Sequence, residues 1–311
     1  MDIQWYPGHM TKTKRMLLTQ MGLIDVVIEL LDARIPLSSR NPDIDTIAKD
    51  KKRVLLLNKA DLASENITAR WEEHFRQMGF FTLPVNAKDN KKTGGTAKLA
   101  ALLKEIMRPK VESQKKRGRI NAPIRAMIVG IPNVGKSTFI NQLAGRAGTI
   151  TADKPGVTRG RQWIKVGSDF DLLDTPGVLW PKFDDQQVGI RLACTGAISD
   201  NVLDKITLAT HLLTLLTDID PAIIEKRYRV TTASLAGAAS ATDESGTSNE
   251  VNVPGEINTP SEAALQLLTD IGNARGFKMK GGVIDLERTA IILIDEFRGG
   301  KLGRISLEWP E

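Results

Sequence analysis

Between the apolar run Ile124 to Val129 and the helix-compatible KSTFINQLAG, residues Gly130 to Ser137 read GIPNVGKS: a glycine, four residues, then Gly-Lys-Ser. No other stretch constrains the fold as much, because this spacing calls for a strand that ends in a tight turn and a helix that starts at once. Glycines let the backbone turn so that successive N–H groups point at one anion, and the helix N-terminus adds its positive dipole end. The anion implied is a nucleotide phosphate. Asn133, Val134, Gly135, Lys136, Ser137 and Thr138 then form its cradle, with Lys136 on the β- and γ-phosphates and Ser137 as a ligand of Mg²⁺. By composition the pattern arises by chance in roughly 1% of chains this long, so a plain glycine-rich turn is the weaker reading.

Downstream, Asp174-Thr175-Pro176-Gly177 follows the apolar strand pattern FDLLD, where a second acid beside Mg²⁺ and a glycine sensing the γ-phosphate belong. Asp174 would reach the metal through water. Alone, Asp-x-x-Gly is a common string; after Lys136 and two strand patterns it becomes informative. The intervening loop holds a candidate switch threonine, Thr158 of KPGVTRG, for a further Mg²⁺ contact, with Thr149 and Thr151 as rivals.

Upstream, Asn58-Lys59-Ala60-Asp61 closes the strand pattern RVLLL. An aspartate there accepts two hydrogen bonds from guanine N1–H and its exocyclic amine, a donor pair that adenine lacks, and such a site rejects the wrong base by on the order of 10⁴. Asn58 would tie this loop to the base and to the phosphate loop, and the Lys59 stem would pack over the base. Asn86-Ala87-Lys88, after FFTLPV, matches the remaining base loop, with the Ala87 N–H directed to guanine O6. These segments describe a GTPase cut in an unusual place, since the base-reading tetrad precedes the phosphate loop. Termini lie at the surface and often close together, so a fold can be re-cut and still assemble the same site.

Strand patterns at Leu23 to Ala33, Arg53 to Leu57, Ile124 to Val129, Gln162 to Val166 and Asp169 to Asp174 alternate with helical ones at Asn41 to Lys51 and Ala63 to Met78. That alternation predicts a parallel α/β sheet flanked by helices over residues 1–180. Arg108 to Pro123 is basic, polar and bounded by prolines, which predicts an exposed connector inside this domain. Beyond Trp180 helical spacing takes over at Gln186 to Ala193, Lys205 to Leu216, Ser261 to Gly272 and Val283 to Phe297. Residues 181–311 are therefore expected to form a smaller all-helical, RNA- or ribosome-binding domain. Val230 to Thr259, rich in small polar residues, is expected to be a mobile loop within it. Lys plus Arg exceed Asp plus Glu, 43 against 37, and the pI is near 9.3. That balance suits a polyanion, with basic clusters at Arg108 to Arg119 and Arg298 to Arg304 as contacts. Cys194 is the only cysteine, which excludes an intramolecular disulfide and a multi-cysteine zinc site. No apolar run spans a bilayer and no targeting segment is evident, so a cytoplasmic protein is expected.

With these residues in place, the chain resembles the ribosome biogenesis GTPase A family of circularly permuted P-loop GTPases. The resemblance is nearly chain-long and is carried by WYPGHM, LLDARIP, LLNKADL, GIPNVGKST, KPGVT, DTPGVLWPKF and FRGGKLGRISLE. It implies GTP hydrolysis during assembly of the bacterial large ribosomal subunit, stimulated by that subunit; off the ribosome a monomer is expected, though the sequence leaves oligomeric state open. The runner-up is an RNA-binding placeholder in which GTP is structural and hydrolysis incidental. Many GTPases carry a water-orienting glutamine where this chain has Val178, and the resemblance offers His9 as the catalytic substitute, or as a mere anchor of the N-terminal segment. It also offers Asn133 as a ligand for K⁺, against the plainer reading of an asparagine bonded within its loop. Val230 to Thr259 departs from the family pattern.

Overall fold

In the computed structural model, residues 9–89, 94–118, 123–147, 163–175, 177, 179, 183, 185–199, 204–233 and 261–310 are described. Six strands form one sheet: β1 (Val26–Asp32), β2 (Lys52–Asn58), β3 (Phe81–Pro84), β4 (Ile124–Gly130), β5 (Trp163–Val166) and β6 (Phe170–Asp174). Their order is β3-β2-β1-β4-β6-β5, with all pairs parallel except β5 against β6. Every residue of β1 is buried. A strand enclosed between neighbours and covered on both faces reads as a continuous apolar run, which is why VVIELLD was recognisable.

Helices α1 (His9–Gln20), α2 (Pro42–Ile47), α3 (Glu65–Gln77), α4 (Gly95–Lys116) and α5 (Lys136–Ala147) accompany the sheet. Leu17, Ile44 and Ile47 pack with Val27, Met127, Val129 and Leu173. Trp71, Phe75 and Ala63 pack with Leu31, Leu55 and Leu57. Between these clusters the buried Glu29 takes Arg53 Nη2 and, at 3.3 Å, the N–H of Asn41. Burial raises its pKa, with the charges of Arg53 and Arg40 opposing.

Of the exposed connector expected at 108–123, residues 108–116 are helical and largely exposed, and 119–122 lie outside the described residues. Helix α4 continues through Lys116 with Pro109 inside it. Proline removes one backbone donor, but the flanking residues are good helix formers, Met107 is buried, and Lys110 Nζ pairs with Asp25 near the foot of β1. These contacts hold the helix past the proline.

Among the described residues, 9–179 together with 308–310 make one compact unit, and 183–307 make a second. The second unit contains α6 (Gln186–Cys194), α7 (Lys205–Ile219), α8 (Ala222–Tyr228), α9 (Glu262–Arg275) and α10 (Leu286–Arg298). Helix α7 packs against the other four, burying Leu208, Leu212, Leu213 and Leu216. Asp185, Asp204, Ser261 and Asp285 each cap a helix N-terminus with a side-chain oxygen. Arg298, read as part of a basic cluster, instead donates to the carbonyls of Cys194 (3.1 Å) and Ala193 (2.8 Å) at the end of α6. Arg227 and Tyr228 both donate to Glu296. Most of the stretch expected to be a mobile loop, 234–260, lies outside the described residues. Among the described residues no helix is long and apolar enough to cross a membrane.

Gly272 sits where a Cβ would meet Ile284 Cγ2 at 2.5 Å and Thr289 Oγ1 at 2.8 Å. Gly272→Ala is expected to destabilise the helical unit by about 1–3 kcal/mol through overpacking. The check is a lowered denaturant midpoint; an unchanged one would show that the α9–α10 contact is loose.

Candidate active site

The sheet order reverses between β1 and β4, and in open parallel sheets ligands bind outside the carboxyl ends of the strands at such a switch point. The loops that leave β1, β2, β3, β4 and β6 all emerge at that end.

After β4 the chain turns through residues 131–135 and enters α5 at Lys136. Gly130 has φ 151° and Gly135 has φ 101°. A Cβ on Gly130 would lie 2.6 Å from the Leu30 carbonyl oxygen, and one on Gly135 would lie 2.4 Å from Asn58 Nδ2. Both glycines are therefore required by backbone conformation and by close approach. Asn133 is exposed and left-handed at φ 56°, a conformation that asparagine tolerates better than most residues. Val134 is buried beneath the loop, while Ser137 and Thr138 are exposed at the helix start.

Lys136 is buried, with Nζ donating to the carbonyls of Gly130 (2.9 Å) and Ile131 (2.8 Å). Burial lowers its pKa to about 8, and the charge of Asp174 opposes that shift. Asp174, at the end of β6, is raised by burial, against the pull of Lys136 and the Thr175 N–H. Thr175 Oγ1 anchors the turn by donating to the Ile128 carbonyl at 2.6 Å. A Cβ on Gly177 would stand 2.9 Å from Pro132 Cα and 3.0 Å from Lys136 Nζ. Gly177 thus lies directly against the phosphate loop.

The Asn58–Asp61 tetrad, expected to read the base, joins the same centre through Asn58. Its Nδ2 donates to the Val134 carbonyl at 2.7 Å, and its Oδ1 accepts the Ala87 N–H at 2.9 Å. One side chain, 2% exposed, links the loops after β2, β3 and β4. The Ala87 N–H, expected to face guanine O6, here donates to Asn58, so serving the base would require it to share or exchange that acceptor. The N–H groups of Lys88 and Asp89 turn back to Asn86 Oδ1. Asp61 is exposed at the mouth, after a turn in which Ala60 N–H reaches Val85 O. Lys59 has φ 59°, and its Nζ lies 2.8 Å from Asp32 Oδ2. Asp32 and Arg34 are the partners that motif reading passed over. Both lie in LLDARIP, a segment that carries the family resemblance, but nothing in it points to Lys59.

The chain is similar to known proteins along its whole length. The family model described as "50S ribosome-binding GTPase" matches residues 125–237. "Ribosome biogenesis GTPase A" of Bacillus cereus is 43% identical over all of this chain and 95% of its own length. The chain belongs to the ribosome biogenesis GTPase A family. It is accordingly a GTPase that binds guanine nucleotides and serves ribosome assembly. The GDP-bound structure of YlqF is similar with TM-score 0.57 and 25% identity, covering 95% of this chain and 99% of that one. The GNP-bound YlqF from Thermotoga maritima, at TM-score 0.59, 24% identity and coverage of 96% and 99%, shares the fold. Both agree with the six-stranded, mostly parallel sheet of a circularly permuted P-loop GTPase. His9 begins α1, but its side chain lies outside the described residues, as do Thr149, Thr151, Thr158 and Val178.

The desolvated Lys136 has a measurable signature. Its folded pKa of about 8 lies below the free value of 10.5. Below pH 8 both states hold the proton and the native state carries the desolvation cost. Between pH 8 and 10.5 the unfolded chain holds a proton that the native state has shed, so stability rises with pH there. Lys136→Met keeps the stem and removes the charge. It should be more stable than the parent at pH 7 by about 1–2 kcal/mol, with the gap narrowing by pH 9.5, and should lose tight triphosphate binding. Urea melts at both pH values, with nucleotide titration at pH 7, decide it; a gap independent of pH would contradict the desolvation argument.

Proposed function

We propose that this GTPase is a timed assembly factor for the large ribosomal subunit, holding GTP on an immature particle and leaving after particle-stimulated hydrolysis. The observation that carries the nucleotide part is the Asn58 amide, which joins the tetrad, the Asn86–Lys88 loop and the phosphate loop. The large-subunit part is supported by the matching family description and by the names of the relatives.

In this reading Asp61 selects guanine through its two carboxylate oxygens, Lys59 flanks the base, and Asn86 shapes the Ala87–Lys88 turn. The N–H groups from Asn133 to Thr138 and the Lys136 ammonium receive the phosphates, so Lys136 must leave its carbonyl partners for them. Gly177, pressed against Pro132 and Lys136, brings its N–H to the γ-phosphate side. Gly130 and Gly135, at positive φ, give the loop after β4 its tight turn, and Lys136 Nζ lies beside Gly177 and close to the Asp174 charge, so the residues present fit a nucleoside triphosphate with its cation. Ser137, Thr158 and, through water, Asp174 would hold Mg²⁺, which neutralises phosphate charge. Asn133 is the candidate ligand for K⁺. Val178 cannot hydrogen-bond water, so His9 takes the role of positioning the nucleophile. Residues 182–307 bind rRNA or ribosomal protein, and the protein is cytoplasmic and monomeric off the particle.

The test of function is single-turnover GTP hydrolysis with and without purified large subunits, where stimulation by about 10² or more is expected. Equal rates would favour the placeholder. For the base assignment, Asp61→Asn should weaken GTP by at least about a hundredfold and confer binding of xanthosine triphosphate, because the amide offers a donor to the 2-oxo group. Unchanged GTP affinity in a competition titration would sink the assignment.

A further inference from the structure

The loop after β1, residues 33–40, contributes no group to the nucleotide chemistry above, yet it is densely braced. At its start the Asp32 carboxylate, 2% exposed, accepts Arg34 Nε at 2.9 Å on Oδ1 and Arg34 Nη2 at 2.8 Å on Oδ2. It also accepts the Arg34 N–H at 3.1 Å and the Lys59 ammonium at 2.8 Å. Burial alone would raise the Asp32 pKa, but the charges of Arg34 and Lys59 together hold it below the usual carboxylate range. Lys59 is therefore fixed at both ends, by its left-handed backbone and by its ammonium. A second tie runs from the Ala33 N–H to the Asn58 carbonyl at 2.8 Å.

The other side of this loop is held by the end of the chain. Glu308, 5% exposed, accepts the N–H of Leu37 at 2.8 Å, the N–H of Ser38 at 3.1 Å and the Ser38 hydroxyl. Trp71 Nε1 donates to the Glu308 carbonyl and Arg70 Nη2 to the Pro310 carbonyl, both at 3.2 Å, which roots the tail on α3. Ser39, beside Ser38, accepts the Asp32 N–H on its hydroxyl at 3.0 Å. Contact is thus continuous from Glu308 through Ser38 and Ser39 to Asp32 and Lys59. A charged acceptor binds such donors more strongly than a neutral one, and its loss leaves the buried Ser38 N–H unsatisfied.

We propose that Glu308 is a positioning residue for guanine recognition: the C-terminal tail fixes the 33–40 loop, and the loop, through Asp32 and Lys59, fixes the base-reading tetrad. The inference rests on reading Asn58–Asp61 as that tetrad. Base selectivity then depends on a carboxylate that never touches the nucleotide.

The test uses the full chain and two probes, GDP and IDP, titrated calorimetrically. Inosine lacks the 2-amino group and so forfeits one of the two hydrogen bonds to Asp61. A parent protein that fails to prefer GDP over IDP would overturn the tetrad reading itself. With that preference in hand, Glu308→Gln should weaken GDP about tenfold and narrow the GDP-to-IDP preference by about threefold, with Glu308→Asp restoring part of both. General loosening of the fold would weaken both nucleotides equally, and an intact preference would overturn the proposal. In a Lys59→Met background Glu308→Gln should add little, whereas fully additive effects would show that the route through Lys59 does not exist. Should Glu308→Gln fail to fold, Ser38→Ala, which removes only the hydroxyl bond, carries the same test with a smaller narrowing; no narrowing there overturns the proposal as well.

Discussion

A single buried amide, that of Asn58, organises this end of the sheet. Its Nδ2 is satisfied by Val134 and its Oδ1 by Ala87, so three loops that are distant in sequence must meet at one point. A buried polar group left unpaired costs about 1–3 kcal/mol, and that cost fixes the loops relative to one another. The arrangement also explains Gly135, since any Cβ there would collide with the same Nδ2. Because the tie is spatial, it is indifferent to which loop comes first along the chain, and the permuted order leaves the site unchanged.

Charge is buried around this strut in two ways. Asp32 with Arg34 and Lys59, and Glu29 with Arg53 and the Asn41 N–H, are paired networks. Such networks add little net stability compared with apolar packing, but losing one partner is costly; what they fix here is the path of the 33–40 loop and its distance from the tetrad. Lys136 is different. Among the described residues its Nζ bonds two carbonyls and has Asp174 nearby, so its charge is held at a desolvation cost that, in the proposed function, an arriving phosphate would relieve. In that proposal stability is given up at the point where the anion binds, the usual trade at a functional site.

The helical unit follows the same economy of polar groups. Asp and Ser caps open its helices, Arg298 closes α6, and Glu296 takes both Arg227 and Tyr228. Basic residues there cannot all be counted as surface for a polyanion, because some are consumed in holding helices together.

Much of the site was legible in the sequence because its signals are local. The glycine and lysine spacing of 130–137, the apolar runs of β1, β2 and β4, and the DTPG turn each report what a short backbone segment must do, and they remain readable in permuted order. Helix α4 was less legible, since Pro109 is a local stop signal that packing by Met107 and pairing by Lys110 override. The engagement of Ala87 by Asn58, the Asp32–Lys59 pair and the return of Glu308 to the 33–40 loop could not be read at all. They depend on β1 lying between β2 and β4 and on where the tail lands after the helical unit. The sequence by itself determined the family, the strands of the sheet and the segments that turn tightly at its carboxyl end. Only the tertiary structure decided which buried donors and acceptors complete one another, because that choice is made by burial and distance between residues the chain keeps far apart.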